Sequence, residues 1–449
     1  MLSANTHRFT DGNIVKSLIR FALPFLGSNF LVSLYGAADV LIVSRFADSA
    51  TLAATATGAQ AVFTLMSLAI GLALGGTILI GQYFGAKKER DVSETITTLF
   101  YLFWFVALFC SGTFLLLAAP ITNWLKTPIS AWQGTYHYIL ICGGGIFFTF
   151  AYEAISAVLR GLGDSKNPLK FVAIACICNI ILDLLFIGYF HWGAAGAALA
   201  TVISQGISVL VGGLYLKKQN FILSGNGNRF VPDKAKMILK LGIPTAVQQT
   251  IVFASFTIMT LAVNELGVIE SAVLGITNRI DGFLIMPALA FCAAISVMTA
   301  QNMGANKPER AQKSFFTGFL MSLLFAVPSF YLMLEKPAYL MRLVTSDPAL
   351  IESGEYFMLA YSPDCLLLAA VFCLNGFFNG CGRTTFTMIV GGMSALVFRV
   401  PLIFMARDLF EVGLSMPFST MPQLLIGIIY FSSNHWKKRL IPIKSREAK

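Results

Sequence analysis

The chain has 449 residues, of which 56% are hydrophobic and only 12% are charged. Soluble domains carry about a quarter of charged residues, so this composition excludes a soluble globular protein and indicates a polytopic membrane protein. The net charge of +10 would suit a nucleic-acid partner only if the 32 Lys and Arg residues formed one binding surface.

Apolar stretches long enough to cross about 30 Å of hydrocarbon recur along the whole chain. They are continuous and rich in Leu, Ile, Phe and Ala, whereas the strands of a membrane barrel alternate every second residue. The predicted fold class is therefore an all-α membrane protein with twelve transmembrane helices. These spans are predicted at residues 18–44, 52–82, 94–118, 133–158, 168–190, 193–216, 237–264, 270–302, 314–334, 349–378, 385–406 and 410–434.

The basic residues sort to one side of the predicted helices. Most lie before the first span, in the loops that follow even-numbered spans, or in the tail. The loops of the opposite side hold only Arg45, Lys126, Lys336, Arg342 and Arg407. By the positive-inside rule, both termini are predicted in the cytoplasm. We therefore expect a multi-pass protein of the plasma membrane that contacts the lipid bilayer and has no nucleic-acid partner.

The residues that usually hold metals or cofactors form no recognisable motif. The four His are scattered at positions 7, 137, 191 and 435, and the eight Cys lie mostly inside predicted spans. The glycine-containing loops at 81–90 and 161–166 lack the GxxxxGK[ST] spacing of an ATP site. No nucleophile and base pair suggests an enzyme. We expect no cofactor, so energy for transport would come from an ion gradient.

The two halves of the chain are related by an internal repeat. "GQYFGAKKERDVSET" at 81–95 resembles "AQNMGANKPERAQKS" at 300–314, and "LRGLGDSKNP" at 159–168 resembles "FNGCGRTTF" at 378–386, both at an offset of 219 residues. Pro24 and Pro244 are 220 apart. Six spans per repeat predict two parallel lobes with a midplane cavity between them. The predicted segments are an N-terminal lobe at 1–216, a linker at 217–236, a C-terminal lobe at 237–436 and a basic tail at 437–449.

In order and spacing these motifs resemble the multidrug and toxic compound extrusion (MATE) family. The resemblance rests on "ALPF…GAADVLIVSRF" in span 1, "GQYFGAKKER" after span 2, "VLRGLGDSKNP" after span 4 and "GAAGAALATVISQ" opening span 6. It implies a V-shaped, two-lobed antiporter with a central cavity. Such an antiporter exports amphipathic, often cationic compounds in exchange for H⁺ or Na⁺. The DinF-like branch is the most similar, because it has an Asp in span 1, Asn-x-x-x-Asp in span 5 and a Thr in span 6.

Four polar residues at membrane depth match that branch: Asp39, Asn179, Asp183 and Thr201. Asp39, Asp183 and Thr201 are predicted at similar depths in the outer half of the N-terminal lobe, and Asn179 lies one turn from Asp183 on the same helix face. One interpretation is a structural hydrogen-bond network. The other is a cation site, because carboxylate, amide and hydroxyl oxygens suit a proton or Na⁺. The resemblance favours the cation site, with Na⁺ as the candidate metal at these four residues.

Further residues are predicted around this site. Pro24 interrupts one backbone hydrogen bond in span 1 and is the predicted hinge. The alternative is an ordinary packed kink. The residues expected to line the substrate cavity are Tyr35, Gln205, Gln248, Asp364 and Arg399.

The C-terminal lobe departs from the NorM-like branch, since span 7 has Gln248 and Gln249 where that branch carries a Glu. This leaves open whether the lobe has its own cation site. Asp364 and Arg399 enter the membrane to similar depths, so a structural ion pair between them is favoured over a substrate role. Glu153 is either a relay on the cytoplasmic side or, as the sequence favours, an acid that snorkels near Arg160.

Together these features predict a secondary active antiporter that exports small amphipathic organic cations, and we expect a monomer. The alternative function is a flippase for lipid-linked precursors, from the same superfamily. The acids at membrane depth favour the antiporter, because they suit cationic solutes better than lipid phosphates.

Overall fold

The computed structural model describes residues 9–219 and 229–437. These residues are almost entirely helical and contain no strand, and twelve of their helices are long and apolar enough to cross a membrane. The predicted all-α class and number of spans are confirmed. Residues 220–228 of the predicted linker and all of the predicted tail except Lys437 lie outside the described residues.

The first half of the chain forms six helices. The fifth continues beyond its α-helical part as one π-helical segment, Leu184–Tyr189. The bounds are α1 Ile14–Phe46, α2 Ser49–Gly85, α3 Glu89–Trp124, α4 Ile129–Gly161, α5 Lys166–Asp183 and α6 Gly193–Lys218.

The second half repeats this order with two local differences. The span predicted at 270–302 is interrupted at Ile285 and forms two helices, and a short extra helix precedes α12. The eleventh span contains a π-helical segment, Ser394–Arg399, between two α-helical parts. The bounds are α7 Pro232–Leu266, α8 Val268–Leu284, α9 Met286–Gly304, α10 Pro308–Glu335, α11 Pro337–Arg342, α12 Pro348–Gly380, α13 Thr384–Met393, α14 Val400–Met405 and α15 Leu409–Ser432.

Aspartates cap three helices at the ends away from the basic loops. Asp48 accepts a hydrogen bond from the Thr51 amide at 2.9 Å, Asp347 from Ala349 at 2.9 Å and Asp408 from Glu411 at 2.8 Å. Hydrogen bonds from Thr51 hold the pKa of Asp48 below its ordinary value. An ionised side chain at this position satisfies amides that the first helical turn leaves without partners.

The described residues form two compact units. The first unit contains residues 27–84, 88–219 and 229–246, and the second contains residues 9–26, 85–87 and 247–437. Compared with the predicted lobes, the beginnings of α1 and α7 each belong to the unit built mainly from the other half of the chain. In both helices the boundary falls two residues beyond the repeated proline, Pro24 or Pro244.

Packing explains this division. In the second unit, Leu18 and Phe21 at the beginning of α1 are buried in a core with Ile295 and Phe315. In the first unit, the backbone of Gly242 at the beginning of α7 lies against α2, where any larger side chain would collide with Leu72. The proline positions are visible in the sequence, whereas the choice of packing partner is a tertiary property.

Small residues bring neighbouring helices into close contact within the second unit. A Cβ atom on Gly376 or Gly380 of α12 would collide with the backbone carbonyls of Cys292 and Ser296 on α9. Close approach of this kind stabilises helix pairs in lipid, where the hydrophobic effect does not drive association between helices.

Candidate functional site

The candidate site begins at the point where α5 changes from an α-helix to a π-helix. Asp183 is the last residue of the α-helical part and is fully buried, and Asn179 is 1% exposed. The i, i+4 spacing puts the two side chains on one face. Widened π-helical turns recur at functional sites, because they displace the ladder of backbone hydrogen bonds and re-aim side chains.

Asp39 of α1 lies near this pair. Its carboxylate and that of Asp183 are close enough for electrostatic interaction. The prediction that Asp39, Asn179 and Asp183 belong to one polar cluster therefore agrees with their placement in the first unit. All three side chains come from helix interiors. The backbone amides and carbonyls there already form helical hydrogen bonds and are not available as partners for these side chains.

The polar atoms of this cluster lack hydrogen-bond partners within the described residues. They are Asp39 Oδ1, both carboxylate oxygens of Asp183, and both polar atoms of the Asn179 amide. A carboxylate near the bilayer centre costs about 2.5 to 3.5 kcal/mol on insertion scales, and a buried polar atom without a partner costs about 1 to 3 kcal/mol. A self-satisfied structural network would remove this cost. The geometry instead suits a site that a proton, a cation or water completes.

Two tyrosines border the carboxylates. Tyr35 lies one turn before Asp39 on α1 and interacts electrostatically with Asp39 and Asp183. Tyr138 of α4 is buried and interacts with Asp39 and Tyr35. Sequence reasoning missed Tyr138, because a tyrosine in an apolar span is ordinarily a packing residue and its depth alone does not reveal which helix it faces.

Thr201 and Gln205 occupy successive turns of α6. Thr201 is half-buried, and its backbone carbonyl accepts a hydrogen bond from Ser204 at 2.8 Å. In the described part of the chain no hydrogen bond joins the Thr201 hydroxyl to either carboxylate. Gln205 lines a cavity that Tyr35 and Asn179 also line, and we call Asp39, Asn179 and Asp183 the acidic cluster. The structure thus brings Gln205 and Asn179 to one cavity, and among the described residues Thr201 makes no hydrogen bond to the acids.

The cavity has a volume of about 230 Å³ and lies within the first unit. Tyr35 and Asn179 connect it to the acidic cluster, and Glu153 and Arg160 of α4 are its charged lining residues among those described. Its size corresponds to several water molecules at about 30 Å³ each. Polar residues from α1, α4 and α6 contribute the remaining hydrogen-bonding groups.

The second unit has a different polar cluster, centred on Arg399 at the end of its π-helical segment. Arg399 is 6% exposed, and it donates hydrogen bonds to Ser255 Oγ at 3.2 Å and Ser419 Oγ at 3.4 Å. Its guanidinium carbon lies 4.8 Å from the centre of the Phe256 ring, within range of a cation–π contact.

Asp364 of α12 is fully buried near Arg399. The two charges interact electrostatically, but they form no direct salt bridge within the described residues. The direct ion pair favoured from their depths is therefore not present. Arg399 is held by hydroxyl groups and an aromatic face, because α7 and α15 bring those groups nearer than α12 brings the carboxylate.

The remaining predicted residues are separate from these clusters. Gln248 on α7 belongs to the second unit and packs against Gly391 of α13. Pro24 lies inside α1, which remains one continuous helix from Ile14 to Phe46. Within the described ranges, no group of three or more His, Cys, Asp or Glu side chains is placed to hold a metal ion. A Na⁺ site would therefore depend on two carboxylates supplemented by amide and hydroxyl oxygens.

The described residues contain twelve helices long and apolar enough to cross a membrane and buried carboxylate oxygens without partners, and with the sequence repeat these features are typical of a polytopic membrane transporter. The chain belongs to the MatE family, whose sequence profile matches residues 24–185 and again residues 244–405. The two matches reproduce the internal repeat. They also begin at the two equivalent prolines, Pro24 and Pro244.

Relatives and solved structures agree over nearly the whole chain. The probable multidrug resistance protein YpnP of Bacillus subtilis is 28% identical over 432 residues, covering 96% of this chain and 97% of its own length. The probable multidrug resistance protein NorM of Thermotoga maritima is 27% identical over 458 aligned residues, covering 96% and 95%. An outward-facing structure of a multidrug resistance MATE family transporter superposes with a TM-score of 0.89 at 18% identity, covering 98% and 100%.

Proposed function

We propose that this protein is a secondary active antiporter that exports small amphipathic organic cations in exchange for H⁺ or Na⁺ by alternating access. The observation that carries the proposal is the set of buried polar atoms of Asp39, Asn179 and Asp183 that lack partners. The relatives named as multidrug resistance proteins support the substrate class. The DinF-like branch is the proposed placement within the family, because that branch carries an acid and an Asn-x-x-x-Asp pair at these positions.

Exchange of substrate for the driving ion follows if both compete for the negative charge of the two carboxylates. The two carboxylates can be neutralised by a proton or Na⁺, or they can attract a positively charged substrate. When binding of one ligand weakens binding of the other, the coupling is reciprocal, so a gradient of the driving ion can release substrate against its own gradient. Asp39 lies 15 residues beyond Pro24 on α1. We propose that neutralising Asp39 alters the bend of α1 at Pro24, as the absence of a backbone N–H there allows.

The organisation around this site is part of the proposal. The lobes 1–216 and 237–436 act as repeats joined by the linker 217–236, and residues 437–449 form a basic tail. Both termini lie in the cytoplasm, the protein resides in the plasma membrane as a monomer, and it needs no cofactor. Tyr35, Gln205, Gln248, Asp364 and Arg399 are the residues proposed to contact substrate.

The experiment that tests the function uses purified protein in sealed vesicles loaded with a fluorescent organic cation. Either a pH gradient or a Na⁺ gradient is imposed, and efflux is followed against protein-free vesicles. We expect one gradient to accelerate efflux and substrate addition to dissipate that same gradient. Efflux that neither gradient affects would contradict antiport.

A flippase for lipid-linked precursors is the alternative function. The same vesicles, prepared with a fluorescent polyprenyl-phosphate lipid, would show protein-dependent exposure of the label on the opposite leaflet. Lipid translocation without movement of the organic cation would favour the flippase. The carboxylates favour the antiporter, because they repel lipid phosphates.

A further inference from the structure

Glu153 of α4 is a buried acid that lies outside the cluster of Asp39, Asn179 and Asp183. It lies eight residues before the end of α4 at Gly161, which corresponds to about 12 Å along the helix. The residue is only 9% exposed and lines the 230 Å³ cavity of the first unit. A snorkelling acid would instead extend its carboxylate to the interface beside the helix end. The structure places Glu153 near Arg160, as the snorkelling interpretation expects, and it buries the residue on the cavity wall, as the relay interpretation expects.

The charged neighbour of Glu153 is Arg160, two turns further along the same helix. The guanidinium NH1 lies 3.9 Å from Glu153 Oε2, beyond hydrogen-bond distance but within range of charge interaction. Such a separation leaves the carboxylate able to accept a proton without first breaking a direct hydrogen bond. Arg160 can then act as a counter-charge that favours the return of Glu153 to its ionised form.

The cavity connects Glu153 to the acidic cluster through polar groups. Tyr35 lines the cavity and interacts electrostatically with Asp39 and Asp183, and Asn179 lines it one helical turn before Asp183. The other polar lining groups include, besides the Tyr152 hydroxyl, one hydroxyl group of α4 and two hydroxyl groups and an amide of α6. These groups belong to Thr149, Ser204, Gln205 and Ser208. Hydroxyl groups, amides and a few water molecules can form a hydrogen-bonded path along which a proton moves.

The titratable groups that face the cavity differ between helices. α1 contributes Tyr35, α5 contributes Cys176, and α4 contributes Tyr152 with Glu153 and Arg160. α2 lines the cavity with Phe63, Met66 and Ile70, and α6 lines it with hydroxyl and amide groups. Glu153 is therefore the one carboxylate on the described wall of this cavity, at the end nearer to the basic loops.

We propose that Glu153 is the second proton-accepting residue of a proton path. It receives the proton from the acidic cluster and delivers it to water at the end of the cavity nearer to the basic loops, with Arg160 as its counter-charge. In each cycle, a carboxyl group of Asp39 or Asp183 loses its proton to the hydrogen-bonded path, and the carboxylate of Glu153 gains one. Glu153 then loses that proton to water and again faces Arg160 as an anion. This inference rests on the proposed antiport and assigns H⁺ as the ion that binds to Glu153. Na⁺ would need several oxygen ligands, and the guanidinium repels it.

The test separates proton-driven transport from substrate exchange. Glu153→Gln and wild type are reconstituted in vesicles with an internal pH dye. Two rates are measured: substrate movement driven by a pH gradient with its accompanying proton flux, and exchange of labelled for unlabelled substrate without a gradient. We expect the variant to lose proton-driven transport by about tenfold or more, because a positioned proton-transfer group contributes at least that much. We expect its substrate exchange to stay within about twofold of wild type.

Two further variants make the result specific. Glu153→Asp keeps a carboxylate in the path and should recover most of the proton-driven rate, whereas a packing role would not be rescued by shortening the side chain. Glu352→Gln, at an exposed position on α12, is the matched control and should behave as wild type. Thermal unfolding of each variant in detergent checks that folding is unchanged.

Wild-type proton flux that Glu153→Gln leaves unchanged would overturn the role of Glu153 and leave the proposed antiport intact. Equal loss of proton-driven transport and substrate exchange would also overturn it, because it would assign Glu153 to structure or substrate binding. A wild-type protein with no substrate-coupled ion movement at all would contradict the proposed function itself. Coupling to Na⁺ alone would contradict only the proton path.

Discussion

The two units of this protein carry opposite charges at similar structural features. In the first unit, the π-helical segment of α5 follows Asp183, whose oxygens lack partners among the described residues. In the second, the π-helical segment before α14 ends at Arg399, which is held by two hydroxyl groups and an aromatic ring. The repeat preserves glycine-containing loops and prolines but not these side chains. The second unit also holds a buried acid with an unpartnered oxygen, Asp364 Oδ1, but among the described residues both carboxylate oxygens lack partners at Asp183 of the first unit.

A second comparison concerns the end of each unit that carries the loops rich in Lys and Arg. In the first unit, the buried Lys234 ammonium contacts Asp91 at 2.9 Å and Glu94 at 2.8 Å. In the second, Lys307 contacts the exposed Asp11 at 2.8 Å, and Arg310 donates to the carbonyls of Asp11 and Gly12. Lys234 lies in the first turn of α7, whereas Lys307 lies in the loop between α9 and α10. In the first unit the contacts join the first turn of the proline-containing α7 to α3, and in the second they hold the segment that precedes the proline-containing α1.

The largest expected effect distinguishes the two buried aspartates. Asp183→Asn should reduce ion-driven efflux by about 100-fold, equivalent to about 2.7 kcal/mol of the transport barrier. Asp364→Asn should change substrate affinity but retain the number of driving ions per substrate. Ion-coupled efflux and equilibrium substrate binding are measured for both, with Glu352→Gln as the control. If Asp364→Asn abolished ion coupling while still binding substrate, the driving ion would have to be assigned to both units.

A stability effect of intermediate size is expected at Arg399. Arg399→Leu removes the positive charge that interacts with the buried Asp364 and should lower the free energy of unfolding by about 2 kcal/mol, since the buried polar groups on both sides lose an interacting partner. Asp364→Asn in the same chain should recover about half of that loss. Thermal unfolding in detergent measures both, and Arg342→Leu at an exposed position is the control. Equal stability of the single and double variants would show that Asp364 and Arg399 are energetically independent.

The smallest effect is expected at Asp11 and Lys307. The hydrogen bond from Lys307 holds the pKa of Asp11 below its ordinary value. A carboxyl group whose folded pKa is depressed contributes stability above its unfolded pKa of about 3.9 and loses that contribution as the pH falls through the folded value. Both side chains are largely exposed, so solvent screening limits the contribution to about 0.5 kcal/mol or less.

Hydrogen exchange of residues 9–12, corrected for the intrinsic effect of pH, should accelerate between pH 6 and pH 3. Lys307→Gln should give similar acceleration at pH 7. The matched change in the first unit, Lys234→Gln, should be more destabilising by thermal unfolding, because Lys234 is buried between two carboxylates. Equal effects of the two lysine variants would remove the contrast between the two arrangements.

Much of the architecture could be predicted because it depends on local features of the sequence, namely the length of apolar stretches and the spacing of residues. Continuous apolar length set the number of membrane-spanning helices, and the equal offset of Gln82/Gln301 and Gly85/Gly304 revealed the repeat. The i, i+4 spacing of Asn179 and Asp183 identified a shared face, and their depth indicated Asp39 as a neighbour. These properties follow from helix geometry and the thickness of a bilayer, and neither depends on which helices pack together.

Tertiary structure decided the partners of these residues. It brought Tyr138 to Asp39, gave Arg399 hydroxyl partners instead of a direct carboxylate contact, and placed Glu153 on the wall of a cavity. It also assigned the beginnings of α1 and α7 to units that a division at the linker would not predict. Hydropathy and spacing fix the depth of a residue in the membrane. The rotation of each helix and the choice of its neighbours depend on side-chain packing across distant segments, which no local pattern encodes.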